Sequence, residues 1–309
     1  MRLLLVGCSG FIGRELIPHL LKSGYLLTVI SRKAPKKYPK SIDTTKLNHL
    51  QLDPAELINW EQDKLLCALK EANGVINLAG EPIANKRWTE EQCKKIEQSR
   101  LITTKGLVNA MSQINKPPEI LINASAIGFY GTSQNKIFTE KSSQGDDFLA
   151  SLCSKWEQIS RGCPQQTRLV LIRIGIVLGR DGGALGKMLP IFRAGFGGPI
   201  GNGNQWMSWI HRKDLCQIIE KSLRNKKWEG VINAVSPNPA QMSLFSQTLG
   251  EVLGRPSLLP LPAPLLKLLL GDGAKVVLEG QKVIPERLMK MNFEYKYPEL
   301  KQALENLTE

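Results

Sequence analysis

Leu3-Leu4-Leu5-Val6-Gly7-Cys8-Ser9-Gly10-Phe11-Ile12-Gly13 is the stretch that decides the fold. Its first four residues read as a strand buried on both faces. Directly after the glycines, Ile12, Leu16 and Leu20, with Ile17 and Leu21 beside them, form the apolar stripe of a helix packed on a sheet. The glycines fall in the turn between. Gly7 permits a tight reversal, Gly10 lets the backbone approach a pyrophosphate, and Gly13 lets helix and strand pack closely while the helix N-terminus faces the negative charge. A glycine pattern alone is weak evidence. Here the strand before it and the helix after it supply the context a dinucleotide-binding turn needs, so Gly7, Ser9, Gly10, Phe11, Ile12 and Gly13 are candidate cofactor residues.

The rest of the chain repeats this alternation. Leu26 to Ile30, Leu47 to Leu52, Val75 to Leu78, Ile120 to Asn123, Leu169 to Ile174 and Val231 to Ala234 read as further strands, separated by segments of helical period. That order predicts an α/β fold, a Rossmann-type doubly wound parallel sheet, with a small, mainly helical C-terminal substrate or cap region. Thr89 before Glu90, Glu91 and Gln92 looks like a capping box opening a long helix to about Ser112. Residues 179–203 hold nine glycines and read as a long loop of the functional kind. The expected division is a cofactor domain over 1–235, including that loop, and an extension over 236–309. The extension reads as a helix around Ser243 to Leu253, a Pro-rich stretch to Pro264 and two short helical pieces.

At 309 residues the chain can bury a core without metal or disulfide staples. Its six cysteines include no CxxC pair, and no early stretch has the order of a secretory signal. A reducing, cytoplasmic compartment is expected. The apolar run Leu265 to Leu270 is short and broken by Lys267, so no membrane span is expected. A formal net charge of +13 admits polyanions, but no nucleic-acid-binding motif accompanies it, and the one dense basic run is Arg32, Lys33, Lys36, Lys37 and Lys40. The expected partner is a small molecule, with the chain a monomer or homodimer.

The second strand ends in Ser31-Arg32-Lys33, where an NAD-selective site would carry an acid on the ribose hydroxyls. A basic pair suits a 2′-phosphate, which predicts NADP(H). Asp53 suits either the adenine edge or an ordinary turn before Pro54. Leu78, Ala79 and Gly80 close the fourth strand with mostly small residues, as a backbone running beside a cofactor requires.

Together these features resemble the extended short-chain dehydrogenase/reductase superfamily. The combination of Gly7 to Gly13, Asn77 to Gly80, Ser99-Arg100, Ala124 to Gly131, Arg173 to Gly179, Gly182-Gly183, Trp209 to His211 and Gly280 to Arg287 is similar to the "epimerase family" subgroup with a C-terminal extension, over essentially the whole chain. Members are described as NADP-dependent oxidoreductases and sometimes labelled cell division inhibitor-like. The superfamily's proton chemistry uses a Tyr-x-x-x-Lys helix and a serine at the preceding strand end. A phenol with pKa near 10 works at neutral pH only beside an ammonium that favours its anion.

In this chain the corresponding helix reads Phe148 to Glu157, with Lys155 at the lysine's place and Ser151 at the tyrosine's. Ala126 stands where the serine falls, with Ser125 one position early. The resemblance therefore implies Lys155, Tyr130 and Ser125, or a water, as the catalytic group, with Lys155 also on the nicotinamide ribose. It adds Arg100, Arg173 and Gly175 to the cofactor set. His211 suits either a structural hydrogen bond or acid/base work, Asp214 suits a helix N-cap, and Gln205, Trp206 and Trp209 suit either a substrate lid or core. Two functions are implied: an NADP(H)-dependent oxidoreductase or epimerase acting on a small carbonyl or hydroxyl compound, or a non-catalytic NADP(H)-binding regulator linked to cell or plastid division.

Overall fold

The seven apolar runs come together in one parallel sheet. In the computed structural model, which describes residues 1–33, 38 and 41–309, they are β1 (Arg2–Val6), β2 (Leu26–Ser31), β3 (Leu47–Gln51), β4 (Gly74–Asn77), β5 (Ile120–Ala126), β6 (Arg168–Ile174) and β7 (Gly230–Ala234). Their order is β7-β6-β5-β4-β1-β2-β3, and every neighbouring pair is parallel. The winding reverses between β1 and β4, which opens a crevice at their carboxyl ends, the place where such sheets bind ligands.

Both faces of β1 are buried. Leu3 and Leu5 pack among residues of helices Gly13–Lys22 and Arg212–Arg224, while Leu4 and Val6 pack among those of Asp63–Glu71 and Glu90–Ser112. An unbroken apolar run is what a strand covered on both sides needs. Thr89 caps the long helix, its Oγ1 accepting the Gln92 N–H at 3.2 Å. The reciprocal half of the expected capping box is missing, since the Thr89 N–H donates to Arg87 O at 3.1 Å rather than to the Gln92 side chain.

The expectation of one long loop over 179–203 is corrected. Ile176–Gly179 is a short strand and Gly183–Arg193 a helix. Leu185, Leu189 and Phe192 are buried, and this apolar helical spacing outweighs the propensity cost of the glycines. The extension also holds more helix than the two pieces expected: Met242–Leu253 is followed by Ala263–Leu270, Lys275–Leu278, Glu286–Lys290 and Leu300–Thr308. The last packs Leu300, Ala303, Leu304 and Leu307 into the same core as Phe245 and Leu249. Strand Gln281–Val283 pairs in parallel with Ser133–Phe138, stitching the extension to the main domain.

His211, not Asp214, caps helix Arg212–Arg224: its Nδ1 accepts the Lys213 N–H at 3.1 Å. The Asp214 carboxylate instead accepts the N–H groups of Lys296 and Tyr297 at 2.8 and 3.0 Å. The His211 ring is buried and stacks on Tyr297, with centroids 4.0 Å apart. Burial, reinforced by the Lys213 charge, pushes its pKa down to about 3. Unfolding below about pH 6.5 therefore takes up a proton, and the stability tied to neutral His211 is full above that pH and is lost as pH falls toward 3. Urea denaturation of the wild type and His211→Asn, which keeps a capping side chain, tests this. The wild type's advantage is expected to shrink by about 1.4 kcal/mol for each pH unit below 6.5, and a pH-independent difference would contradict it.

Candidate cofactor and active site

The turn after β1 is held by two backbone contacts. Gly7 has φ +72°, and a Cβ there would stand 2.4 Å from Ala79 Cα; one at Gly13 would stand 1.6 Å from the Cys8 carbonyl oxygen. Gly10 is different. Its nearest neighbour in that direction is Gly7 O at 3.9 Å, so nothing in the protein requires a glycine there. Beside that open space, among the described residues, the N–H groups of Ser9, Gly10, Phe11 and Ile12 find no internal acceptor, and helix Gly13–Lys22 begins directly after them. Unpartnered N–H groups at a helix N-terminus form an anion site.

The glycine-rich segment braces this turn. Cβ atoms at Gly179 and Gly182 would each stand 2.8 Å from the Phe11 ring. Arg212 ties the parts together, donating to Phe11 O at 3.2 Å and pairing with Asp181 at 2.5 Å and Glu15 at 3.3 Å. The early glycines of 179–203 thus make room for an aromatic ring of the glycine turn.

At the end of β2, Ser31 is buried, its Oγ donating to Lys33 O at 2.7 Å and lying 3.0 Å from His49 Nε2. Arg32 and Lys33 are exposed beside it; Lys36, Lys37 and Lys40 lie outside the described residues. Asp53 forms a turn, its carboxylate accepting the Ala55 N–H at 3.0 Å. Beyond β4, Leu78 donates its N–H to Val6 O at 2.9 Å, Ala79 is buried, and Gly80 lies against Arg100, where a Cβ would stand 2.9 Å from Cζ. Buried Asn77 holds this end in place through Thr104 at 3.0 Å and Asn123 at 2.7 Å, and Trp156 Nε1 donates to the same Thr104 hydroxyl.

Helix Phe148–Ser160, capped by Asp147, carries Ser151 half-buried and Lys155 exposed one turn later. Lys155 Nζ donates to Glu97 Oε1 at 3.1 Å. The opposite side of the helix enters a buried network that the sequence reading missed. Glu157 accepts Ser125 Oγ at 2.8 Å and takes Arg173 through two hydrogen bonds, at 2.7 and 2.9 Å. Arg173 also donates to the Tyr130 hydroxyl at 3.0 Å, and that hydroxyl donates to Asn233 Oδ1 at 2.6 Å. The Phe129 ring lies 3.4 Å from the guanidinium.

Burial raises the Tyr130 pKa, against the pull of Arg173. Ser125, Tyr130 and Arg173 are therefore brought together, but as partners of one another, while Lys155 stands on a different face with Glu97. Gly175 donates its N–H to Ala234 O at 3.1 Å, and its bare Cα faces Ser208, whose carbonyl oxygen a Cβ would approach to 2.4 Å. A signal for Glu157 was present: it follows Cys153 by four residues on a helix whose inward stripe is otherwise apolar up to Ser160.

Gln205, Trp206 and Trp209 pack rather than cover a mouth. Trp209 is fully buried and donates to Asn238 O, Trp206 donates to Gln134 O, and Gln205 is buried and bonded to Ile200 O and Val277 O. A cleft of about 990 Å³ lies apart from the glycine turn, between the extension and the segment after β4, lined by Arg87, Pro260, Lys267, Asp272, Lys275 and Leu278 among others. Trp88 links this region to the Lys155 helix. Its ring meets Phe148 edge-on at 5.3 Å, and a Cβ at Gly273 would stand 2.6 Å from it.

The doubly wound sheet, the glycine turn at its switch point and the added C-terminal strand and helices define an extended short-chain dehydrogenase/reductase. The chain belongs to the NAD dependent epimerase/dehydratase family, which it matches over residues 3–234; residues 261–307 match a domain of unknown function, DUF1731. It is 41% identical to an Arabidopsis thaliana protein named epimerase family protein SDR39U1 homolog, chloroplastic, over 98% of this chain and 86% of that protein. It is 38% identical to the human epimerase family protein SDR39U1 over 99% of both chains. A crystal structure of the human protein with NADPH superposes with TM-score 0.87, again over 99% of both chains. The UDP-glucuronic acid 4-epimerase of Bacillus cereus shares the fold at 18% identity, TM-score 0.78, over 99% of this chain and 98% of that one.

The Glu157 network makes a stability prediction. Glu157→Gln leaves the Arg173 guanidinium buried without its counter-charge, which costs about 3–5 kcal/mol. Chemical denaturation is expected to show that loss, and a change under about 1 kcal/mol would mean that solvent reaches the pair.

Proposed function

We propose that the chain is an NADP(H)-dependent oxidoreductase or epimerase of the extended short-chain dehydrogenase type, acting on a small carbonyl- or hydroxyl-bearing molecule in a reducing compartment such as the cytoplasm. The observation that carries this reading is the open space at Gly10 beside unpartnered N–H groups at a helix start. A pyrophosphate fits such a cradle, and the exposed Arg32 and Lys33 at the end of β2 suit a 2′-phosphate. The human relative's structure with NADPH supports the same assignment. A nicotinamide held there supplies or accepts a hydride at a substrate carbon.

The chain's own residues divide the remaining work. Gly7, Ser9, Gly10, Phe11, Ile12 and Gly13 would hold the pyrophosphate, Ser31 would brace the strand end beneath Arg32, and Leu78, Ala79 and Gly80 would flank the cofactor. Lys155 would exchange Glu97 for ribose hydroxyls and, through a solvent water beside it, relay the proton that accompanies the hydride. Tyr130 and Ser125 would act on the site as positioning residues through Arg173 and Glu157, and Gly175 would shape the wall beyond β6.

One observation favours the second reading, a non-catalytic NADP(H)-binding regulator: among the described residues Lys155 makes no hydrogen bond to a phenol. Titration of NADPH and NADH by fluorescence, followed by oxidation assays on a panel of carbonyl compounds, separates the two. NADPH is expected to bind about tenfold tighter than NADH or better, with the preference lost in Arg32→Ala/Lys33→Ala. Turnover is expected to be lost in Lys155→Met. NADPH binding without any turnover supports the regulator, and failure to bind either cofactor contradicts both readings.

A further inference from the structure

Among the described residues Arg100 makes no ion pair, and the carboxylate whose charge acts on it, Glu81, gives it no hydrogen bond. Arg100 projects from helix Glu90–Ser112, half-buried, with its guanidinium 5.4 Å from the Trp156 ring and pressed against the bare backbone of Gly80. Among the described residues its one hydrogen bond runs from Nη1 to Ile96 O at 2.9 Å, which leaves Nε and Nη2 free. Two carboxylates of this region are engaged elsewhere, Glu97 with Lys155 at 3.1 Å and Glu157 with Arg173 at 2.7 Å; Glu81 lies 3.9 Å from the exposed Lys86, and its charge also acts on Arg100 without a hydrogen bond between them. Burial lowers the Arg100 pKa, yet an arginine stays charged at any physiological pH.

Packing covers part of this guanidinium without giving the fold an ion pair, and its two unbonded nitrogens stay open to solvent or a ligand. A planar fork of free N–H donors matches carboxylate or phosphate oxygens two at a time. The location bears on whose anion it would be. The guanidinium lies between Gly80 of the segment after β4 and Trp156, the chain neighbour of Lys155; the cofactor turn adjoins the same segment one residue earlier, where Gly7 meets Ala79, so the cofactor's pyrophosphate, to which the resemblance would assign Arg100, is the competing ligand.

We propose that Arg100 receives an anionic group of the substrate itself, a carboxylate or phosphate, and so fixes the substrate beside Lys155. The substrate class narrows to acids and phosphate esters that also carry a carbonyl or hydroxyl, such as oxo acids and hydroxy acids. This rests on the cofactor reading for where the nicotinamide end falls.

The test uses the full chain saturated with NADPH. Oxalate and inorganic phosphate are titrated into wild type, Arg100→Gln and Arg100→Lys, with thermal midpoint and NADPH fluorescence as readouts, and the Kd for NADPH is measured for each. In the wild type at least one anion is expected to raise the midpoint by roughly 2 °C or more. The rise should be absent in Arg100→Gln and reduced in Arg100→Lys, while the Kd for NADPH changes less than about threefold. A loss of about tenfold or more in NADPH affinity in Arg100→Gln would assign the guanidinium to the cofactor's pyrophosphate and overturn the proposal. So would a wild type indifferent to both anions, or an Arg100→Gln response equal to the wild type's. Should Arg100→Gln not fold, the comparison of Arg100→Lys with the wild type decides on the same readouts. Failure of the wild type to bind NADPH would instead remove the cofactor reading on which the proposal stands, and so contradict both.

Discussion

The close approach of the β1 turn to its surroundings constrains everything built around it. At Gly13 helix and strand meet so tightly that a methyl group would overlap the Cys8 carbonyl, and at Gly7 the turn touches the backbone beyond β4. These contacts bring the ends of β1 and β4 together at the point where the sheet reverses direction. They also aim the start of helix Gly13–Lys22 into the crevice between them. Arg212 and the Phe11 ring lock the turn from the other side, so the glycine-rich segment after Ile176–Gly179 and the first helix act as one rigid frame. A preorganised frame is what lets backbone N–H groups bind an anion without paying for its ordering at the moment of binding.

A second polar framework lies at the ends of β5, β6 and β7. Ser125, Glu157, Arg173, Tyr130 and Asn233 form one chain of hydrogen bonds, and Asn233 continues it to Ile284 O in the extension. In a superfamily whose chemistry resembles Tyr-x-x-x-Lys, a tyrosine near the strand end invites a catalytic reading. Here its hydroxyl both donates and accepts inside the protein, and its ring stacks on Phe138. Buried polar groups satisfied by one another rigidify a core and fix its register. The groups left over at the surface of the site are the Lys155–Glu97 pair, Ser151 and Arg100, a set richer in charge than in acids able to donate near neutral pH.

The sheet was legible because each strand is a separate apolar run bounded by turn residues, and Leu3 to Val6 followed by Gly7, Gly10 and Gly13 specifies both the turn and its neighbours. Residues 179–203 were misread because glycine count masked the spacing of Leu185, Leu189 and Phe192. Within the site, the need for Gly7 and Gly13 could be read from the sequence, since it is local. The pairing of Glu157 with Arg173 could not, because it joins a helix to a strand through the fold, and neither residue departs from an ordinary charged pattern except by falling on an inward face. Arg100 was visible as part of Ser99-Arg100, but that it forms no ion pair among the described residues is a property of three dimensions.

The most direct test of the central claim is a fluorescence titration of NADPH into Gly10→Val beside the wild type, with thermal melts of both. A Cβ at Gly10 meets only Gly7 O, at the ordinary contact distance of 3.9 Å, so the variant is expected to melt within about 2 °C of the wild type while its affinity for NADPH falls by about a hundredfold or more. A variant that binds NADPH as the wild type does would show that the turn is a structural feature of the sheet and that the cofactor, if any, lies elsewhere.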